Sequence, residues 1–219
     1  MKITMSFFSD DELCQLKRIN ELYQITQQLI YMSEELGDQN TFMPPINEIK
    51  DAFNHFMRII SAKFDSDKSK NQYVQINFEK IFSHLYRATF ELFDYIYIFI
   101  RKDITESLQG ISNEALTIIF SDYYKTIRPN IEDLIDKIPK YKNNKDIGDP
   151  NLEDVKQFFN SITDLRENQR KIHNILPSLI EYDIKEKKEK KDKQISQLFY
   201  DLIKVLIGFV LGLLSKRLF

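Results

Sequence analysis

The sequence predicts an all-α protein. The expected architecture is an antiparallel helical bundle over residues 1–184, a basic linker over 185–194 and a C-terminal apolar, membrane-associating helix over 195–219. Three observations predict it. Apolar residues recur every three or four positions along most of the chain, the period of one helix face. Only five glycines and six prolines punctuate 219 residues, too few for a turn-dense β-sandwich. The last 25 residues then change character, from amphipathic to nearly continuous apolar.

Ser9-Asp10-Asp11-Glu12 is a capping box, in which Ser9 and Glu12 satisfy each other's free amide donors. Leu13, Leu16, Ile19, Tyr23, Leu29, Ile30 and Leu36 follow at helical spacing, and Gly37 is expected to supply a left-handed cap. Pro44-Pro45 opens a second helix, whose stripe is Ile46, Ile49, Phe53, Phe56, Met57, Ile60 and Phe64. A long helix over 71–109 carries Phe78, Ile81, Phe82, Leu85, Leu92, Phe93 and Ile96 on one broad face and stops at Gly110. Its stretch FELFDYIYIFI is aromatic and β-branched, which admits a strand locally, but the 3–4 spacing continues through it. Ser112 or Asn113 caps a helix with Leu116, Ile119, Phe120, Tyr123 and Ile127 on its face, and Arg128-Pro129 is expected to break or kink it. Ile131, Leu134, Ile135 and Ile138 continue to Pro139. Residues 140–149 read as a loop. Asp149-Pro150 is expected to open the next helix, with Val155, Phe158, Phe159, Ile162, Leu165, Ile172, Leu176, Leu179 and Ile180 on its face and a kink at Pro177.

Composition excludes several chemistries. The closest glycines lie four apart, so a glycine-rich phosphate loop cannot form. Cys14 stands alone, which excludes an internal disulfide and a cysteine-based zinc site. His55, His84 and His173 are too scattered for a local metal motif, and neither metal nor cofactor is expected. No signal peptide is visible at the N-terminus, and the body is expected in the cytoplasm. The formal charge of −2 divides into −7 for residues 1–184 and +5 for 185–219. An acidic body argues against direct DNA binding. A basic run beside an apolar segment has the form of a membrane flank. Lys187, Lys188, Lys190, Lys191 and Lys193 supply it on one side, and Lys216 and Arg217 on the other.

Residues 195–214, ISQLFYDLIKVLIGFVLGLL, hold fourteen apolar residues and two glycines. Twenty residues is the length that spans a bilayer, although Asp201 and Lys204 fall inside. The exceptions are ordered. Gln197, Asp201, Lys204, Gly208, Gly212 and Ser215 are spaced 4, 3, 4, 4 and 3, one polar or small stripe along an otherwise apolar helix. Ionisable groups in membranes face a bundle interior or water, so the stripe is expected to line contacts between copies. Gly208-x-x-x-Gly212 permits close helix–helix approach. Two other readings compete: the helix lies on the membrane surface with the stripe upward, or it is the last core helix of a soluble bundle, the protein then being a soluble helical interaction module.

Arg166 and His173, with six residues between them in RENQRKIH, share a helix face. The pair resembles the Arg-x(4–6)-His motif of the all-helical HEPN nuclease superfamily. There the arginine and histidine of two protomers act on an RNA phosphodiester, His as general acid or base and Arg on the developing charge. A helical cytosolic domain with one membrane helix is also similar to the HEPN-like membrane accessory and effector proteins of type VI CRISPR anti-phage systems. That resemblance implies an oligomeric pore in the inner membrane, opened by a protein or nucleotide activator, with the nuclease motif often degenerate. The leading expectation is therefore a non-enzymatic membrane effector or anchor. A ribonuclease using Arg166 and His173 is the alternative.

Overall fold

The computed structural model describes residues 7–37, 41–64, 71–145 and 151–218, with the side chains of 138–145 and 209–218 left out of the description. Among the described residues the fold is all-α: α1 (Asp10–Leu36), α2 (Met43–Phe64), α3 (Asn71–Ser107), α4 (Asn113–Ile119), a π-helical turn (Tyr123–Ile127), α5 (Arg128–Lys145) and α6 (Leu152–Leu218). No strand occurs among them, and FELFDYIYIFI lies wholly within α3.

α3 is the central element. It buries residues on several faces, because α1, α2 and α6 all pack against it. Phe78, Phe90, Phe93, Ile96 and Ile100 are sealed from solvent, and α6 brings Phe158 to stack on Phe93 with ring centroids 4.1 Å apart. Aromatic pairs at such separations add about 0.5–1.5 kcal/mol beyond the area they bury. The core is not wholly apolar. Thr26 of α1 and Thr89 of α3 meet hydroxyl to hydroxyl at 2.7 Å: one donates to the other, which in turn donates to the carbonyl four residues back, Leu22 for Thr26 or Leu85 for Thr89, so both are satisfied without water.

The helix ends follow the sequence in some places and depart from it in others. The capping box at α1 is present: the Ser9 amide donates to Glu12 Oε2 at 2.8 Å, and the Glu12 amide donates to Ser9 Oγ at 3.3 Å. Gly37 does not take the left-handed conformation. Its φ is −92°, because its N–H simply continues the helical ladder to the Ser33 carbonyl. The left-handed glycine is Gly110, φ +84°, which turns the chain out of α3. Ser112 caps α4, accepting from the Ala115 amide at 3.0 Å.

The break expected at Arg128-Pro129 lies earlier. α4 stops at Ile119, and the chain re-enters helix through a π turn in which the Arg128 N–H reaches the Tyr123 carbonyl. Proline lacks an amide donor, so it suits the first turn of α5 rather than a helix interior, and the widened turn absorbs the change. α5 then runs through Pro139 to Lys145, so residues 140–145, expected as loop, are helical. Asp149-Pro150 lie outside the described residues. The cap seen at α6 is Asn151, whose Oδ1 accepts from the Glu153 amide at 3.0 Å. Pro177 sits within α6 without interrupting it.

α6 is 67 residues long. At 1.5 Å per residue it extends about 100 Å. Residues 185–194, expected as a linker, are helix continuous with both neighbours.

Candidate functional site

Two groups of predicted residues lie on this one helix, and their surroundings are opposite. Arg166 and His173 belong to the half of α6 that packs on the body. Helical spacing puts Gln169 between them, three residues after one and four before the other, so the three share a face. A continuous polar network results. Arg166 Nη1 donates to Gln169 Oε1, Gln169 Nε2 donates to Asp103 Oδ2 on α3, and His173 Nε2 lies 2.7 Å from the same oxygen. Ser107 Oγ is 3.3 Å from that ring nitrogen. At the other end Arg166 Nη2 donates to Glu35 of α1 at 2.7 Å, and Arg170 reaches the same oxygen at 3.5 Å. The Arg166 guanidinium beside Glu35 holds that carboxyl below the usual range, against the opposing effect of burial.

The structure thus brings Arg166 and His173 into one network, but through intermediaries. Sequence reasoning missed Gln169, whose position was legible from spacing. It also missed Asp103 and Glu35, which sit on other helices and leave no local signal. The arginine is mostly buried and has acceptors on two of its nitrogens, while its Nε is buried and unpartnered among the described residues. A guanidinium so engaged is built to tie α6 to α1. His173 is the accessible member, 43% exposed and held by Asp103. A carboxylate that orients an imidazole is what a general base needs, and equally what a structural ion pair needs.

The other two histidines, unrelated in sequence, also meet. His55 of α2 stacks on His84 of α3 with centroids 5.3 Å apart. His55 Nδ1 lies 2.7 Å from Asn77 Oδ1, and His84 Nδ1 lies 2.7 Å from Glu48 Oε2, which also accepts from Arg87 at 3.0 Å. Among the described residues no set of three or more His, Cys, Asp or Glu could hold a metal ion.

The second group begins where α6 leaves the bundle. The last firm tie is Asp183, buried, whose carboxylate accepts from the Ser112 amide at 2.9 Å and from its hydroxyl. Those two bonds hold its pKa below the ordinary aspartate range. Lys190 then reaches Glu114 of α4 at 3.4 Å and Glu186 at 2.5 Å. From Lys187 to Gly208 every residue is exposed. Lys187, Lys188, Lys191 and Lys193 stand in solvent. Beyond them Ile195, Leu198, Phe199, Leu202, Val205 and Leu206 are each between 53% and 70% exposed.

Of the polar stripe, Gln197, Asp201, Lys204 and Gly208 are all exposed. Lys204 Nζ lies 4.0 Å from Asp201 Oδ1 and 4.3 Å from the centre of the Tyr200 ring. A Cβ added at Gly208 meets nothing within 4 Å. The side chains of Gly212, Ser215, Lys216 and Arg217 lie outside the described residues. Among the described residues no helix is long and apolar enough to cross a membrane.

No family model, no curated protein and no solved structure matches the chain.

Proposed function

We propose that the protein is a membrane-associating helical effector or anchor, in which the bundle presents the distal part of α6 to a bilayer and copies assemble through the polar stripe. One observation carries this: apolar side chains cover most of the circumference of a helix whose described residues from Lys187 to Gly208 are all exposed. A helix apolar nearly all round is normally buried, in a core or in lipid. Each such side chain gains roughly 1.5–3 kcal/mol on full burial, so the exposed set represents on the order of 10 kcal/mol available to whatever covers it. The basic run at Lys187–Lys193 adds attraction to anionic headgroups, each cation near the surface contributing about 1 kcal/mol.

Ile195–Gly208 is about 20 Å of helix, shorter than the ~30 Å hydrocarbon layer. The sequence continues as FVLGLL to residue 214, which would complete the length. Asp201 and Lys204, already within ion-pair distance on one helix, would then face neighbouring copies or water rather than lipid. The inner membrane, with the acidic body in the cytoplasm, is the location that fits this charge distribution, and anti-phage defence is the proposed setting.

The test is flotation with liposomes containing anionic lipid. Full-length protein is expected to float and a chain ending at Gln194 to remain below. Leu206→Asp should impair flotation, whereas Asp201→Leu should retain it and change dye release. Equal behaviour of the full and shortened chains would overturn the reading.

The Arg166–His173 network favours one second reading, a HEPN-type ribonuclease. Against it stands the commitment of Arg166 to Glu35 and Gln169. RNA cleavage is expected to be absent. Efficient cleavage lost in His173→Ala would establish the enzyme instead.

A further inference from the structure

A second apolar surface lies on the body. α1 and α2 diverge over α3 to leave a groove of about 690 Å³. Its floor is Ala52, Ile81 and Leu85, all buried, and its rim carries Tyr23 and Phe53, 42% and 59% exposed. We infer that, away from a membrane, this groove receives the distal α6 of a second copy of the chain.

Length, charge and connectivity each select that occupant. The groove runs from Leu16 to Tyr23 on α1, seven residues or about 10 Å of helix, and from Ile46 to Phe56 on α2, ten residues or about 15 Å. Leu198, Leu202 and Val205 are spaced 4 and 3, the anchor pattern of a helix laid in a groove, and also span seven residues. The body carries −7 and the segment from Lys185 carries +5, so opposite charges meet when the tail of one copy approaches the body of another. On α1 and α2, which wall the groove, the exposed acids Asp10, Asp11, Glu21 and Asp51 stand beside the exposed cations Lys17, Arg18, Lys50 and Arg58, Glu21 being paired with Lys156 and Lys50 lining the groove itself, so the attraction acts between body and basic run as wholes and not at the groove. The tail cannot reach its own groove, because α6 is one unbroken helix leading away from the bundle and none of its residues lines the groove. Two copies can exchange tails reciprocally, the self-complementary arrangement of a two-fold dimer.

This docking stands apart from the membrane reading, and the two can fail separately. The test uses full-length protein in lipid-free buffer, with Cys14→Ser in every chain. One tagged copy carries Asn20→Cys at the groove, and a differently tagged copy carries Ser196→Cys on the tail. A disulfide between the two copies is expected under mild oxidation. Its yield should fall at least tenfold in Phe53→Asn, an exposed rim position where circular dichroism should stay unchanged, and should fall several-fold from low to 0.5 M salt as charges are screened, the Debye length there being about 4 Å. Phe53→Asn should also float at several-fold lower lipid concentration, because the tail is free. Disulfides only between two Ser196→Cys tails, an acyl lipid found in the groove of a monomer by native mass spectrometry, or a cross-link indifferent to Phe53→Asn would each overturn the docking. Flotation that persists while the cross-link fails removes the docking alone.

Discussion

From Leu152 to Asp183, α6 buries Val155, Phe158, Ile162, Leu165, Ile172 and Leu179 against the bundle; from Lys187 to Gly208 it buries nothing. Both stretches are helix, and no break in the chain separates them. The difference lies in pattern. In the first half, apolar residues at 3–4 spacing leave a polar face for solvent, which is how a helix on a soluble bundle is written. In the second half, apolar residues take most of the circumference and the polar ones retreat to one stripe. Between them, KEKKEKKDK keeps the helix going on propensity and on spaced pairs such as Glu186–Lys190, with no apolar contact required. Helicity therefore does not report burial here. The proximal half is held by the body, while the distal half stays helical with its side chains exposed.

That contrast makes its largest prediction on the proximal side. Phe158 is fully buried between Phe93 and Phe90. Phe158→Ala should cost roughly 3–5 kcal/mol from lost transfer energy and the cavity left behind. For a chain of this size that lowers the unfolding midpoint by about 10 °C, measurable by thermal circular dichroism. A loss below about 1 kcal/mol would mean that α6 is not integral to the core.

An intermediate effect belongs at the point where the two halves meet. Asp183 ties α6 to the cap of α4 through two bonds from Ser112. Asp183→Ala leaves the Ser112 amide without that acceptor and should cost about 1.5–3 kcal/mol, the range for hydrogen bonds to charged groups. The pH dependence has a definite sign. The folded pKa is depressed by the Ser112 bonds, so the contribution is present above the unfolded value near 4 and fades as pH falls through the folded value. Urea titrations of wild type and Asp183→Ala should therefore differ most at pH 6–7 and converge toward pH 2–3. A difference that grows on acidification would contradict the assigned role.

Legibility in the sequence followed the range of the physics. The helix class, the capping box at Ser9, the Ser112 cap and the aromatic face of α3 are set by neighbours within four residues, and all were readable. The fate of Gly37 was not, because a left-handed cap is one of several ways to close a helix. The π turn before Pro129 was not readable either, since the early stop at Ile119 depends on how α4 packs on α6. At the candidate site, a spacing of three lets Asp201 and Lys204 pair along one helix or across to the next, and within the chain they lie 4.0 Å apart. Asp103 and Glu35 were invisible because only the fold brings α3 and α1 to α6. The His55–His84 stack escaped for the same reason: 29 residues of chain and a helix reversal separate the two rings.

The smallest expected effect is on the distal side, and it tests the contrast most directly. Leu202→Ala removes the same side-chain atoms as a typical core truncation, yet Leu202 is 57% exposed. With no cavity to create and little burial to lose, the unfolding free energy in dilute, lipid-free solution should change by less than about 0.5 kcal/mol. A chain ending at Gln194 should behave alike, since the body-facing ties of α6, from Val155 to Lys190, all precede the cut. Concentration is the control variable. If tails dock on neighbouring copies, the wild-type midpoint should rise with protein concentration while that of the shortened chain stays fixed. A Leu202→Ala loss of 2 kcal/mol at the lowest concentration would place the distal helix against its own body and erase the distinction between the two halves of α6.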